Sequence, residues 1–222
     1  MLNPNVKLLS ELNMPDLDGQ LDMIITLSDV ACRYALENPK IYYDYLYRME
    51  SDYNKNNYGE ENMTLSFKST SKSGSEVFTF NYEGTYGMAF KVDGFVPYID
   101  IDKVIDGGIF SDEKEILFPP FLNNYITGDF ITSYKTYNKS FQEVVLHDDY
   151  EENVGDNSIS ISDEVKSSFY TELSKCKKSK EISPELKTYC SYIGLALYSK
   201  IRTMYKKYND VYKNMYATGK TR

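Results

Sequence analysis

Three short stretches carry side chains able to do chemistry. In chain order they are Tyr47-Arg48, then Phe67-Lys68-Ser69-Thr70-Ser71, then Glu113-Lys114-Glu115 running into Ile116-Leu117-Phe118-Pro119-Pro120-Phe121. An arginine presents a planar fork of donors that keeps its charge, which suits phosphate. Hydroxyls orient carboxylates or sugar hydroxyls through hydrogen bonds. Residues i and i+2 of an extended segment point the same way, so Glu113 and Glu115 are expected to face one site. Taken singly each stretch is weak: Glu-x-Glu is usually a solvated pair, and Ser-Thr-Ser sits in a Ser/Thr-rich run. What the chain lacks narrows the chemistry. It has one histidine, His147, and three cysteines, Cys32, Cys176 and Cys190, without CxxC or zinc spacing. That excludes His-rich metal sites, makes Ser-His-Asp or Cys-His catalysis a poor fit, and reads as free thiols. No metal is expected. No Gly-rich phosphate loop of Rossmann or Walker type is present. Any catalysis therefore rests on carboxylates, hydroxyls, Arg or Lys.

These residues need elements to hold them. Leu17, Leu21, Ile24, Ile25, Leu27, Val30, Ala31, Tyr34 and Ala35 recur at near-helical spacing and predict an amphipathic helix over 17–38, stopped by Pro39. Over 41–49, Ile41, Tyr43, Tyr45, Tyr47 and Met49 alternate with other residues, which favours a strand with Arg48 on the face opposite the large aromatics. Further strands are expected at 63–71, 75–82, 87–92, 96–101, 115–118, 130–137 and 141–147. Pro119-Pro120 ends the strand at 115–118. Helices are expected at 162–176 and 184–217, the second with Ser183 as N-cap, Pro184 in its first turn, and a stripe of Leu186, Tyr189, Ile193, Leu197, Ile201, Tyr205, Tyr208 and Tyr212. Helix, then short strands, then helices implies an α+β fold with an antiparallel-rich sheet.

The 222 residues, 41% hydrophobic and 26% charged, suffice to bury a core. The net charge of −8 hides an asymmetry: residues 175–222 carry 12 Lys+Arg and 3 Asp+Glu, and the body before them is acidic. The acidic, turn-rich stretch 148–158 reads as a linker. We therefore expect a core over 1–150 and a basic helical extension over 151–222, packed on that core through its apolar stripe. No run of about 18 apolar residues predicts a membrane span, and the first 20 residues lack a signal-peptide layout. The expected location is cytoplasmic, or a host cytoplasm after delivery.

Together and in this order, the three stretches resemble the Arg … Ser-Thr-Ser … Glu-x-Glu signature of the mono-ADP-ribosyltransferases. The resemblance covers about residues 41–146 and is most specific at Glu113–Phe121, EKEILFPPF. Phe67, two residues before Ser69, also fits. Met49 stands where the family usually has Gly after its Arg. The resemblance implies a split β-sheet core of that family, with the N-terminal helix and the basic extension outside it.

It also implies roles. NAD is the co-substrate, and positive charge develops on its ribose as nicotinamide leaves, as in glycoside cleavage. The resemblance gives Glu115 the task of stabilising that charge and holding the ribose 2′-hydroxyl. It gives Glu113 the orientation of the acceptor and help with its proton loss. Arg48 binds the pyrophosphate, Ser69 holds Glu115 or the nicotinamide ribose, Thr70 and Ser71 support the strand, and Phe80 or Phe90 stacks on nicotinamide. A Glu at the first position of the pair goes with arginine acceptors in this family. The implied activity is mono-ADP-ribosylation of an arginine on a target protein, with NAD hydrolysis as a side reaction. The alternatives are the same chemistry on a nucleic acid guided by the basic helix, or a partner-binding module of the same fold without turnover. Small enzymes of this class are often toxins or effectors.

Overall fold

The computed structural model describes residues 16–41, 43–51, 58, 62–77, 83–105, 114–132, 140–150 and 161–217. The fold is α+β. In chain order the elements are α1 (Leu17–Glu37), β1 (Leu46–Ser51), β2 (Asn62–Met63), β3 (Lys68–Ser71), β4 (Thr85–Asp93), β5 (Ile99–Asp100), the single turn α2 (Ile101–Val104), β6 (Glu115–Phe118), β7 (Asn123–Thr132), β8 (Ser140–His147), α3 (Asp163–Ser179) and α4 (Pro184–Ala217). Among the described residues no helix is long and apolar enough to cross a membrane.

The chain divides into two compact units, Met1–Thr26 with Asn153–Thr203 and Leu27–Glu152 with Met204–Arg222. One change of unit falls at 152/153, within the expected linker; the other two fall inside α1 and α4. The first unit is helical. Leu17, Phe169, Leu173, Cys176, Leu186 and Ile193 form its core. Its helix ends are well satisfied. Ser162 Oγ accepts from Val165 N–H, Lys180 closes α3 in the left-handed region, and Ser183 Oγ accepts from Leu186 N–H at 3.0 Å, the cap expected of it.

The second unit holds the sheet, ordered β2-β7-β8-β4-β1-β3-β6-β5. Every pairing is antiparallel except β4 with β8. The ladder is pinched in one place. Six register pairs join β1 to β4 and four join β3 to β6, but β1 meets β3 only at Tyr47↔Ser71. Two more extensively paired parts thus meet at a near-split, β2-β7-β8-β4-β1 on one side and β3-β6-β5 on the other.

Several expected strands differ. Of 75–82, the described residues 75–77 form a turn and 78–82 lie outside the described residues. Of 96–101, only Ile99–Asp100 pair, as β5, and α2 begins at Ile101. Of 130–137, residues 130–132 are the end of β7, which starts at Asn123, and the rest lie outside the described residues. Residues 63–71 alternate well but do not make one strand. β2 pairs with β7 at one sheet edge, and β3 lies between β1 and β6. The cause is Thr64. It is buried, exchanges backbone hydrogen bonds with Leu122 and Phe121, and its Oγ1 accepts from Leu122 N–H. Anchored there, the chain turns and leaves Leu65 63% exposed. The aromatic segment before β1 enters the strand only at Leu46.

On one face of the sheet, Tyr47 packs edge-on against buried Phe141, 5.0 Å between centroids, beside Val77 and Ala89. Gly87 makes that approach possible: a Cβ there would lie 2.7 Å from Phe141 Cδ1. Gly87→Ala should therefore cost about 1–3 kcal/mol through overpacking, read as a lower urea midpoint with unchanged slope.

Candidate active site

The three motif-bearing strands are neighbours: β1, β3 and β6 are consecutive in the sheet. Strand alternation puts Leu46, Arg48 and Glu50 on one face of β1 and Tyr47 and Met49 on the other. Arg48 Nε donates to Glu50 Oε1 at 2.8 Å, and Nη1 donates to the carbonyl oxygen of Ser69 at 2.7 Å. That carbonyl would pair with a β1 N–H if the ladder continued past Tyr47↔Ser71. The guanidinium lies in the gap where the strands part and takes its place.

Glu50 anchors this junction. Its side chain is fully buried, and Oε1 also accepts from Tyr58 Oη at 2.9 Å and Lys68 Nζ at 3.0 Å. Lys68 is itself 3% exposed and lies 5.3 Å from the Tyr58 ring centroid. Burial pushes the Glu50 carboxyl up, but Arg48 and Lys68, with the hydrogen bonds from Lys68 and Tyr58, outweigh it and hold it below the usual carboxylate range.

Directly opposed residues of an antiparallel pair share a face. The β3–β6 register sets Ser69 opposite Leu117, Thr70 opposite Ile116 and Ser71 opposite Glu115. The hydroxyl directly across from Glu115 is thus that of Ser71, and Ser69 is two residues further along the same face. Thr70 is buried and donates to the Ile116 carbonyl at 2.9 Å. Ser71 Oγ donates to Glu76 Oε2 at 3.2 Å, and Glu76 Oε1 takes the Lys114 ammonium at 3.2 Å.

Glu113 lies outside the described residues, as does Phe80. The alternation argument for Glu113 and Glu115 assumes an extended residue between them, whereas Lys114 has φ of 49°, in the left-handed region. Strand geometry begins only at Glu115. Phe90 is 1% exposed on the core face opposite Leu46, which removes it as a stacking partner.

Beside Glu115 lies a second buried charge cluster. Lys72 Nζ donates to Asp100 Oδ1 at 2.5 Å and Asp102 Oδ2 at 2.8 Å, with the lysine side chain 5% exposed. Burial pulls the ammonium down, but the two carboxylates more than compensate and hold it above its ordinary range. Asp102 Oδ1 accepts the backbone N–H of Glu115 at 3.2 Å. Sequence reasoning missed Glu50, Lys68, Lys72, Glu76, Asp100 and Asp102. The available signals were Arg48-x-Glu50 on one strand face, lysines on both sides of Ser-Thr-Ser, and Asp100-x-Asp102.

Elsewhere, Arg33 pairs with Asp29 at 2.7 Å and bonds Tyr208 Oη, while Lys91 lines a separate cavity of about 540 Å³ with Lys40, Tyr43, Tyr45, Tyr98 and Tyr212. None of the described motif residues lines it.

Three groups on the adjacent strands are left without protein partners among the described residues: Nη2 of Arg48, the Ser69 hydroxyl and the Glu115 carboxylate. The Arg48 side chain remains 29% exposed. One open donor for phosphate, one hydroxyl and one carboxylate fit a sugar–pyrophosphate such as NAD.

No protein-family model matches the chain, and no curated protein matches it. Among solved structures it is similar to ADP-ribosyltransferases. One ADP-ribosyltransferase from Clostridium botulinum matches at 16% identity over 46% of this chain and 59% of that one, with a TM-score of 0.34. The enzymatic component of the C2 toxin, also from Clostridium botulinum, matches at 20% over 64% and 38%, TM-score 0.37. The Vis toxin of Vibrio splendidus matches at 17% over 66% and 74%, TM-score 0.31. The matched part spans less than two thirds of each of the two clostridial chains. With every one of these TM-scores below 0.5, the residues themselves must carry the functional reading.

Glu50 yields a prediction with a definite sign. A carboxyl held low in the folded state adds stability above its ordinary pKa of about 4.3 and loses it as pH falls through the lowered folded value. Glu50→Gln leaves Lys68 buried without its counter-charge and should cost about 3–5 kcal/mol at pH 7. Denaturant titrations should show the gap to wild type narrowing as the solution is acidified below the ordinary glutamate range.

Proposed function

We propose that this chain is a mono-ADP-ribosyltransferase, cleaving the nicotinamide–ribose bond of NAD and passing the ADP-ribose to an acceptor, with an arginine side chain of a target protein as that acceptor. One observation carries the reading. The strands bearing Arg, Ser-Thr-Ser and Glu-x-Glu are consecutive in the sheet, and each offers one polar group uncommitted among the described residues, Arg48 Nη2, Ser69 Oγ and the Glu115 carboxylate.

NAD supplies a glycosidic bond whose cleavage leaves positive charge on the ribose. Glu115, held at the start of β6, places a fixed negative charge for that moment, without reorganisation when the bond breaks. Arg48 offers one terminal nitrogen to the pyrophosphate, while its other donors keep it aligned through Glu50 and Ser69. Ser69 is available to the ribose; Ser71 is tied to Glu76. Glu113 is the residue proposed to accept the acceptor's proton, a demanding step for a guanidinium whose pKa exceeds about 12.

A nucleic-acid acceptor is the second reading. It draws on the basic excess of residues 175–222 and on exposed lysines along α4, among them Lys187, Lys206, Lys207 and Lys213. The third is an interaction module with an idle site.

Labelled NAD incubated with a cell lysate separates the three. The expected result is label that protease releases and nuclease does not. Label removed by nuclease would replace the arginine reading with the nucleic-acid one. No nicotinamide release at all would leave the interaction module. Glu115→Gln should lower both transfer and hydrolysis by about 10²–10³. Glu113→Gln should remove transfer and spare hydrolysis; transfer intact in that variant would sink the arginine assignment.

A further inference from the structure

Asp102 has no place in the Arg, Ser-Thr-Ser and Glu-x-Glu pattern, yet it holds the backbone from which Glu115 projects. Its Oδ1 accepts the Glu115 N–H at 3.2 Å. Its Oδ2 accepts from the Lys72 ammonium at 2.8 Å, and that ammonium is fixed again by buried Asp100. Lys72 acts a second time through its main chain, its N–H donating to the carbonyl of Lys114 at 2.9 Å. The peptide unit between Lys114 and Glu115 is therefore held at both ends, its C=O by Lys72 N–H and its N–H by Asp102.

This is the place where holding is needed. Lys114 sits at φ of 49°, a conformation a non-glycine residue keeps only when its surroundings over-determine it. Released, Lys114 would relax toward ordinary φ, and the direction in which the chain enters β6 at Glu115 would change.

We propose that Asp102 is a positioning residue for Glu115: with Lys72 it clamps the Lys114–Glu115 peptide in its left-handed turn and so sets the Glu115 carboxylate across from Ser71. The proposal rests on the transferase reading. It adds a residue that acts through Glu115 without touching substrate. Asp102 keeps 23% of its side chain exposed, which makes its substitution tolerable where that of Lys72 would strand buried Asp100.

The test compares Asp102→Ala with Asp102→Asn in the full chain. The asparagine keeps an oxygen for the Glu115 N–H. Nicotinamide release is measured as kcat and KM for NAD, per folded molecule, alongside hydrogen exchange at the Glu115 amide. Asp102→Ala should lower kcat by about 10–100-fold, as misplacement of a reacting group does. KM should stay within about twofold, and the Glu115 amide should exchange at least about tenfold faster. Asp102→Asn should restore most of both. Unchanged exchange in the alanine variant would show that no clamp exists. Faster exchange with unchanged kcat would show a clamp without catalytic consequence. Either result overturns the proposal while leaving the transferase reading intact. A wild-type chain that never releases nicotinamide would instead refute the transferase reading, and with it the role given to Asp102.

Discussion

A carboxylate buried to exclusion of water must be neutralised where it stands, and Glu50 meets that requirement by drawing Arg48, Lys68 and Tyr58 onto one oxygen. Arg48 comes from the same strand and Lys68 from β3. The ion cluster therefore joins β1 to β3 where the backbone ladder has only one register pair. Without it, the pinched junction would leave β3-β6-β5 tied to the rest of the sheet by Tyr47↔Ser71 and side-chain packing. With it, the strands part far enough for a guanidinium to lie between them and stay close enough for that guanidinium to be held.

Such a junction suits binding better than a continuous ladder would. A closed sheet commits every inner N–H and C=O to a neighbouring strand. Here the Ser69 carbonyl is released to Arg48, which leaves the guanidinium with two nitrogens committed and one open among the described residues. Backbone register places Arg48 and Glu115 on opposite faces of the ladder. A binding site using both must therefore sit at the split, where a side chain can turn toward either face. The consecutive order of β1, β3 and β6 brings stretches far apart in the chain onto neighbouring strands.

Much of this was legible beforehand, and for definite reasons. β6 occupies the span its Glu-Ile-Leu-Phe alternation and the following prolines indicate, β8 begins one residue before its expected start, and α4 has its serine cap and its apolar stripe. In each, local pattern and tertiary burial agree. Residues 63–71 failed because alternation cannot report that Thr64 is fastened to Leu122, which breaks one apparent strand into β2 and β3. Glu50 and Lys68 went unseen because charged residues in a polar stretch read as solvated. Their burial follows from pairing between residues 18 apart in the chain.

Lys114 shows why the site was harder to read than the fold. The rule that residues two apart share a face holds only while the residue between them is extended, and at the centre of Glu-x-Glu it is not. A lysine has no intrinsic preference for the left-handed region, so nothing at position 114 announces the turn. The turn is imposed by Lys72 from the end of β3 and by Asp102 from the turn α2, two segments that come together only once β5 and β3 have both paired with β6. Motif residues can be recognised by type and spacing. The residues that aim them are chosen by the assembled sheet, and they become visible when the polar groups around a strained peptide are followed to their partners.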